Sequence, residues 1–316
     1  MKTPQPRGDL SAALFAAMIG HSPDWDLVRG LPASSAGDAH IALWSMYELH
    51  YRGLEDVSED LEWHPGILTV RRRLEAEFES ELRSRFTPPR LQQPFDEALF
   101  DYVQQHDGLS LAAHVQRGFD REQVLELLRL RSLYHLKESD ATAWLVPRLA
   151  TRPKAALMEL LFDEYGAGDP NRLHAHMFAR GMTDAGLRAD YGAYVDDVPV
   201  EVLVLNNAMS LFGLHRRLRG AALGHLAAFE TTSSLPSRRI TQGLARLEFP
   251  QSLIDYYAEH VEADAVHEQL AVRAICGALV AEEPHLVDDV FFGAFTCLDL
   301  EDRVARRVLE DVRAPA

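Results

Sequence analysis

Apolar residues return every three or four positions along almost the whole of this chain, and the alternating Val/Ile/Thr runs that mark strands are few. That period points to an all-α fold. It predicts helices over 9–20, 37–52, 66–85, 94–105, 109–117, 120–138, 153–164, 170–181, 199–230, 237–247, 250–282 and 297–312, with breaks at Pro88-Pro89, Gly166-Ala167-Gly168 and Ser233 to Pro236. The Pro/Gln stretch from Thr87 to Pro94 reads as a joint near which a supporting N-terminal section, 1–118, meets a second domain, 119–316. No internal repeat is evident, which argues against a solenoid.

With 316 residues, 47% apolar and 25% charged, the chain has material for a sizeable core. A net charge of −16 leaves no basic footprint for nucleic acid and disfavours an anionic membrane surface, so neither is expected as a partner. The two cysteines, Cys276 and Cys297, lie in apolar surroundings without a Cys-x-x-Cys neighbour. A disulfide framework, zinc ribbon or iron–sulfur cluster is therefore unsupported, and buried free thiols fit a cytoplasmic protein. Lys2 and Arg7 precede the apolar run Leu10 to Gly20 in the manner of a signal peptide. Asp9 and Ser11 interrupt that pattern and no small-x-small cleavage site precedes Ser22-Pro23-Asp24, so a short capped helix is expected instead. No other run is long enough to span a bilayer.

The densest chemistry lies in His260-Val261-Glu262-Ala263-Asp264-Ala265-Val266-His267. His260, Asp264 and His267 stand at i, i+4 and i+7 of a helical segment and share one face. Iron, manganese and zinc take mixed nitrogen and oxygen donors of this kind, so the triplet reads as half of a metal site. A chain with 14 His and 48 acidic residues produces such triplets by composition, and the case rests on further donors at Glu138, Glu164, His174 and Glu230.

Glu164 precedes Tyr165-Gly166-Ala167-Gly168, and His174 follows on a helix expected to be capped by Asp169 with Pro170 in its first turn. A straight helix would hold Glu164 and His174 about 15 Å apart; a bend at the glycines brings them together. Glu230 follows the apolar run Leu226 to Phe229, where an unpaired carboxylate is costly and a cation resolves the cost. Gly213, Gly220 and Gly224 upstream of it permit close helix approach. Glu138, in Leu136-Lys137-Glu138-Ser139-Asp140, fits a surface cluster equally well. His40, Glu48, His50, Glu62 and His64 are set aside as solvated or interface groups, because the i, i+2 pairs Glu48/His50 and Glu62/His64 point apart on a helix. Four carboxylates and three imidazoles match the donor demand of two ferrous ions.

The four-helix di-iron pattern of two Glu-x-x-His pairs is absent; Glu282-Glu283-Pro284-His285 contains a proline and falls in a loop. The chain instead resembles the haem-oxygenase-like di-iron oxidase and oxygenase family, also described as iron-containing redox enzymes. The resemblance covers about 120 to 316 and is carried by Tyr134-His135-Leu136-Lys137-Glu138-Ser139-Asp140, by Asp163-Glu164-Tyr165-Gly166-Ala167-Gly168 followed by His174, by Ser210 to Gly220, by Gly224-His225-Leu226-Ala227-Ala228-Phe229-Glu230, and by His260 to His267. It implies a haem-oxygenase-like helical bundle with an N-terminal helical extension similar to the dimerising arm of larger relatives. It implies that Glu138, Glu164, His174, Glu230, His260, Asp264 and His267 bind metal, with His176 a near neighbour. It further implies two irons per chain, Fe(II)/Fe(III), dioxygen as co-substrate, an unidentified electron donor and a homodimer. The implied reactions on a small amine, amino-acid or carboxylate-type substrate are N-oxygenation, oxidative C–C cleavage or desaturation. Haem oxygenase proper needs one axial histidine and has no use for four inward carboxylates.

Two other classes stay open: a non-catalytic helical metal-binding or interaction protein, and a cofactor-independent oxidase or thiamin-degrading enzyme on the same scaffold, the latter needing a reactive cysteine. For substrate contacts, Arg216, Arg217 and Arg219 are candidates for a carboxylate, against the ordinary alternative of pairing with acidic neighbours, and Tyr165 or Tyr191 for polar pocket groups. Met209, Phe212, Leu226 and Phe229 are expected to shape the pocket.

Overall fold

The computed structural model describes residues 1–20 and 23–313, without the side chains of 262–265 and 313; the Asp264 carboxylate therefore lies outside the described residues. No strand occurs among them. Four helices precede the Pro/Gln stretch: α1 (Asp9–Ile19), α2 (Trp25–Gly30), α3 (Ala36–Glu48) and α4 (Pro65–Ser84). The rest of the chain supplies α5 (Phe95–Gln104), α6 (Leu111–Arg117), α7 (Arg121–His135), α8 (Asp140–Ala143), α9 (Thr151–Glu164), α10 (His174–Asp184), α11 (Val200–Leu214), α12 (Arg219–Arg246), α13 (Gln251–Gln269), α14 (Ala278–Glu282) and α15 (Val287–Arg313). A π-helical stretch, Leu270–Gly277, joins α13 to α14. No helix among the described residues is long and apolar enough to cross a membrane.

Local chemistry sets several boundaries. Ser35 caps α3 by accepting from the Asp38 amide, and Asp120 with Gln123 forms a reciprocal capping box at the start of α7. The expected break at Ser233 to Pro236 does not occur, because α12 runs through Pro236. One lost N–H is outweighed by packing of α12 along α6, α13 and α15. The chain breaks instead at His215, whose backbone is extended and whose Nε2 lies 2.9 Å from Glu75 Oε2 on α4. Helix α15 starts ten residues before the expected 297, since Val290, Phe291, Phe292, Ala294 and Thr296 are all buried and leave no polar face to reveal a period. The six-residue α2 was not expected at all, and α10 begins at His174 instead of 170, with Asp169 closing a turn on the Asn171 amide.

Helix α12 is the axis of the molecule. At Gly224 it crosses α15 so closely that a Cβ would run into the Val290 carbonyl. One apolar cluster unites α1, α3 and α4 with α7, α10, α11 and the C-terminal half of α15; a second is built from α5, α9, the π-helical stretch, the middle of α12 and the N-terminal half of α15. The N-terminal section thus shares a continuous core with the helices that carry the candidate ligands, α3 lying against α11.

Candidate metal centre

Six of the seven sequence-selected donors converge in the interior as two groups, Glu138 with His174 and His260, and Glu164 with Glu230 and His267. Within each group, one donor atom per residue lies within 4.8 Å of the others, and all six residues are buried. Five elements deliver them. Glu138 follows the end of α7, Glu164 ends α9, His174 opens α10, Glu230 lies within α12, and His260 and His267 lie on α13. The bend between α9 and α10 does what a straight helix could not: Gly166, Ala167 and Gly168 all take positive φ, and His174 Nδ1 comes to 3.1 Å from Glu164 Oε2.

Glu164 touches both groups. Its Oε2 faces His174, while its Oε1 lies 3.6 Å from His267 Nδ1. His267 Nδ1 is also 3.6 Å from Glu230 Oε2, and Ser139 donates to Glu164 Oε2 at 3.1 Å. Glu138 is gripped from outside the group: Tyr256 donates to its Oε2 at 2.8 Å, and His135 Nδ1 lies 3.4 Å from its Oε1. The same Tyr256 hydroxyl is 2.7 Å from His135 Nδ1. His135 and Tyr256 were not selected from sequence as site residues. The signals were present, since His135 stands three residues before Glu138 and Tyr256 four before His260, spacings that share a helical face.

The donor set fits a pair of cations. His260 Nδ1 donates to the Tyr256 carbonyl at 2.8 Å, which turns its Nε2 lone pair inward, and that nitrogen has no hydrogen-bond partner among the described residues. His267 directs Nε2 at Asp163, 3.3 Å away, and its buried Nδ1 is likewise without a hydrogen bond. Among the described residues no arginine or lysine pairs with Glu138, Glu164 or Glu230. Three carboxylates are thus buried with only imidazoles to neutralise them, a costly arrangement that metal ions relieve.

Protonation follows the same crowding. Burial pushes the Glu230 carboxyl up to about 7, reinforced by the charge of Glu164 and opposed by His267. Burial acts against charge on His174 and His267, yet the carboxylates of Glu164 and Glu138 around the first, and of Glu230, Glu164 and Asp163 around the second, raise each imidazole to about 9. Burial also opposes charge on Glu138, but His135, His260 and His174 bring it down to about 2. His260 is held below its ordinary value, chiefly by burial.

A cavity opens beside Glu138, Glu164, Glu230 and His260, between the α7–α8 turn, α11 and α12. Met209, Phe212, Leu226 and Phe229 all line it, as the sequence suggested. The proposed arginines do not. Arg217 pairs with Glu79 on α4 and Arg219 with Glu283 before α15, and neither these nor Arg216 lines the cavity. Tyr165 donates to Asp140 and Tyr191 to Glu48, and neither faces the cavity. His176 is exposed. Both cysteines are buried with thiol pKa pushed up by burial, and neither lines the cavity.

An all-α bundle with a buried His/Glu centre between its helices defines a class of metal-dependent helical proteins. The family model for iron-containing redox enzymes matches residues 125–302, more than half of the chain, and the chain belongs to that family, with its haem-oxygenase-like all-α fold. No curated protein matches it.

Proposed function

We propose that this protein is a dioxygen-activating oxidase or oxygenase that binds two irons per chain, one in each buried group, and acts on a small amine, amino-acid or carboxylate-type metabolite. The observation that carries this reading is Glu164, which presents one carboxylate oxygen to each group and so stands where a bridging ligand belongs. Glu138, His174 and His260 would hold one ion; Glu230, His267 and Asp264 would complete the other. Such an ion pair supplies redox chemistry with dioxygen that no side chain provides.

The protein's own contribution is positional. Tyr256 and His135 fix the Glu138 carboxylate, the Tyr256 carbonyl fixes the ring of His260, and Asp163 fixes that of His267. Met209, Phe212, Leu226 and Phe229 keep the adjoining cavity largely apolar and limit water at the reacting centre. In this reading an external donor supplies electrons, the N-terminal section supports the catalytic domain and serves a homodimer, and the protein works in the cytoplasm.

Oxygen consumption by ferrous-loaded protein over a panel of amines and amino acids tests the proposal, with His267→Ala as control. Uptake that requires both iron and one class of small molecule, and that disappears in the variant, is expected. Stoichiometric iron binding without oxygen uptake for any compound would favour a metal-holding role.

A further inference from the structure

The cavity beside the candidate ligands has a polar wall that the metal reading does not use. Asn206, at 1% exposure, donates its amide nitrogen to the Val202 carbonyl one turn back on α11, at 2.9 Å. That bond fixes the amide, and its Oδ1 is left as an acceptor without a hydrogen-bond partner among the described residues. One turn on, and so on the same face, Ser210 accepts from the Tyr51 hydroxyl at 3.2 Å, and its own hydrogen has no acceptor among the described residues. From α12, His225 lines the same cavity at 7% exposure, with Nε2 unpartnered among the described residues. Burial pushes this imidazole down to about 4, so it is neutral at ordinary pH. Buried polar atoms are rarely left unmet, and two around one cavity, with the Ser210 hydroxyl between them on its wall, point to a ligand that meets them.

Charge narrows what that ligand is. The one cation lining the cavity among the described residues, Lys137, is committed to Glu48 and rests 4.3 Å over the Tyr51 ring. A carboxylate entering here finds no uncommitted positive group and meets Asn206 oxygen to oxygen. An ammonium group finds Lys137 nearby and no anion apart from the candidate metal ligands.

We infer that the cavity recognises its substrate through an uncharged head that both donates and accepts hydrogen bonds, of which a carboxamide is the best match, with Asn206, Ser210 and His225 as the specificity-determining residues. This rests on the reading of the cavity as the substrate site, and it narrows the substrate class proposed above to carboxamide derivatives of such metabolites. An amide N–H satisfies Asn206 Oδ1, and the amide carbonyl accepts from Ser210 or His225. A site whose buried groups are built to be satisfied in this way rejects analogues that leave them unmet.

The test is calorimetric binding of butanamide, butanoate and butylamine to the ferrous-loaded protein under nitrogen, in the wild type and in Asn206→Leu, Asn206→Asp and His225→Phe. The readout is the ratio of variant to wild-type Kd for each probe, so that direct coordination of butanoate or butylamine to iron, which bypasses Asn206, cancels. Asn206→Leu and His225→Phe are expected to weaken butanamide about tenfold each while leaving butanoate within twofold. Asn206→Asp, which keeps the shape, is expected to tighten butylamine at the expense of butanamide. Iron content and thermal midpoint check the fold, and the isosteric aspartate keeps the test alive if leucine is not tolerated. The inference is overturned if butanamide does not bind, if its affinity ignores all three substitutions, or if butanoate weakens in parallel. Because no oxygen is present, these outcomes are independent of oxygen uptake, which bears on the oxygenase reading itself.

Discussion

Among the described residues, two clusters of histidines and carboxylates, each largely buried, are resolved in opposite ways. Between α3, α4 and the start of α12, Glu48, His50, Glu62, Glu75, Glu79 and His215 meet Lys137, Arg71, Arg83 and Arg217: Lys137 pairs with Glu48, Arg71 contacts His50 and lies 3.3 Å from Glu75, and Arg217 donates to Glu79. The cluster at Glu138, Glu164 and Glu230 has no such cation among the described residues and leaves two imidazole nitrogens without hydrogen bonds. A high density of His and Glu is common to both. What separates a structural network from a candidate metal centre is whether the protein supplies the positive charge itself.

Removing a ligand should have the largest consequence. His260→Ala is expected to lower iron from about two to about one per chain and to cut oxygen uptake by more than the 10- to 100-fold typical of outer-sphere partners, while the fold persists; metal analysis and an oxygen electrode read both. In the cation-supplied cluster the reverse holds. Arg71→Met should cost up to about 3–5 kcal/mol of stability by leaving Glu75 with His215 as its remaining ion-pair partner, with iron stoichiometry unchanged, as seen by denaturant unfolding beside metal analysis.

Proton linkage distinguishes the clusters more finely. His174 and His267, raised to about 9 in the metal-free protein, are protonated at neutral pH, and iron must displace those protons. Apparent iron affinity should therefore climb between pH 6 and 9, by about tenfold per unit for each proton displaced. The same raised values stabilise the metal-free fold fully below the unfolded histidine pKa, and that contribution is lost as pH rises through about 9. Glu230 runs the other way. A carboxyl raised to about 7 makes the folded state bind the extra proton, so it destabilises the metal-free fold as pH rises from the ordinary carboxylate range to above 7. Glu230→Gln is accordingly expected to gain about 1–2 kcal/mol in the metal-free protein at pH 8 while weakening iron binding. A loss of stability would place Glu230 with the self-neutralised cluster.

The fold class and most of the centre were legible because both rest on helical spacing. His260 and His267 share a face by arithmetic alone, and the glycines after Glu164 announced the bend that brings His174 back. Less legible was anything set by tertiary packing: the continuation of α12 through Pro236, the break at His215 beside Glu75, and the start of α15 just ahead of the buried run Val290 to Ala294. Glu48 and His50 were expected to be solvated or interface groups, and both are instead buried, because Lys137 and Arg71, distant in sequence, meet them in the interior. The arginines after His215 proved to be structural because their acidic partners lie on α4 and just before α15, where spacing carries no information.

The central claim is that each buried group holds one iron. Anomalous scattering at the iron edge from crystals of anaerobically loaded protein tests it most directly. The account predicts two peaks, one among Glu138, His174 and His260 and one among Glu164, Glu230 and His267, with Glu164 between them. A single peak, or none at these residues in protein that retains iron, would contradict it.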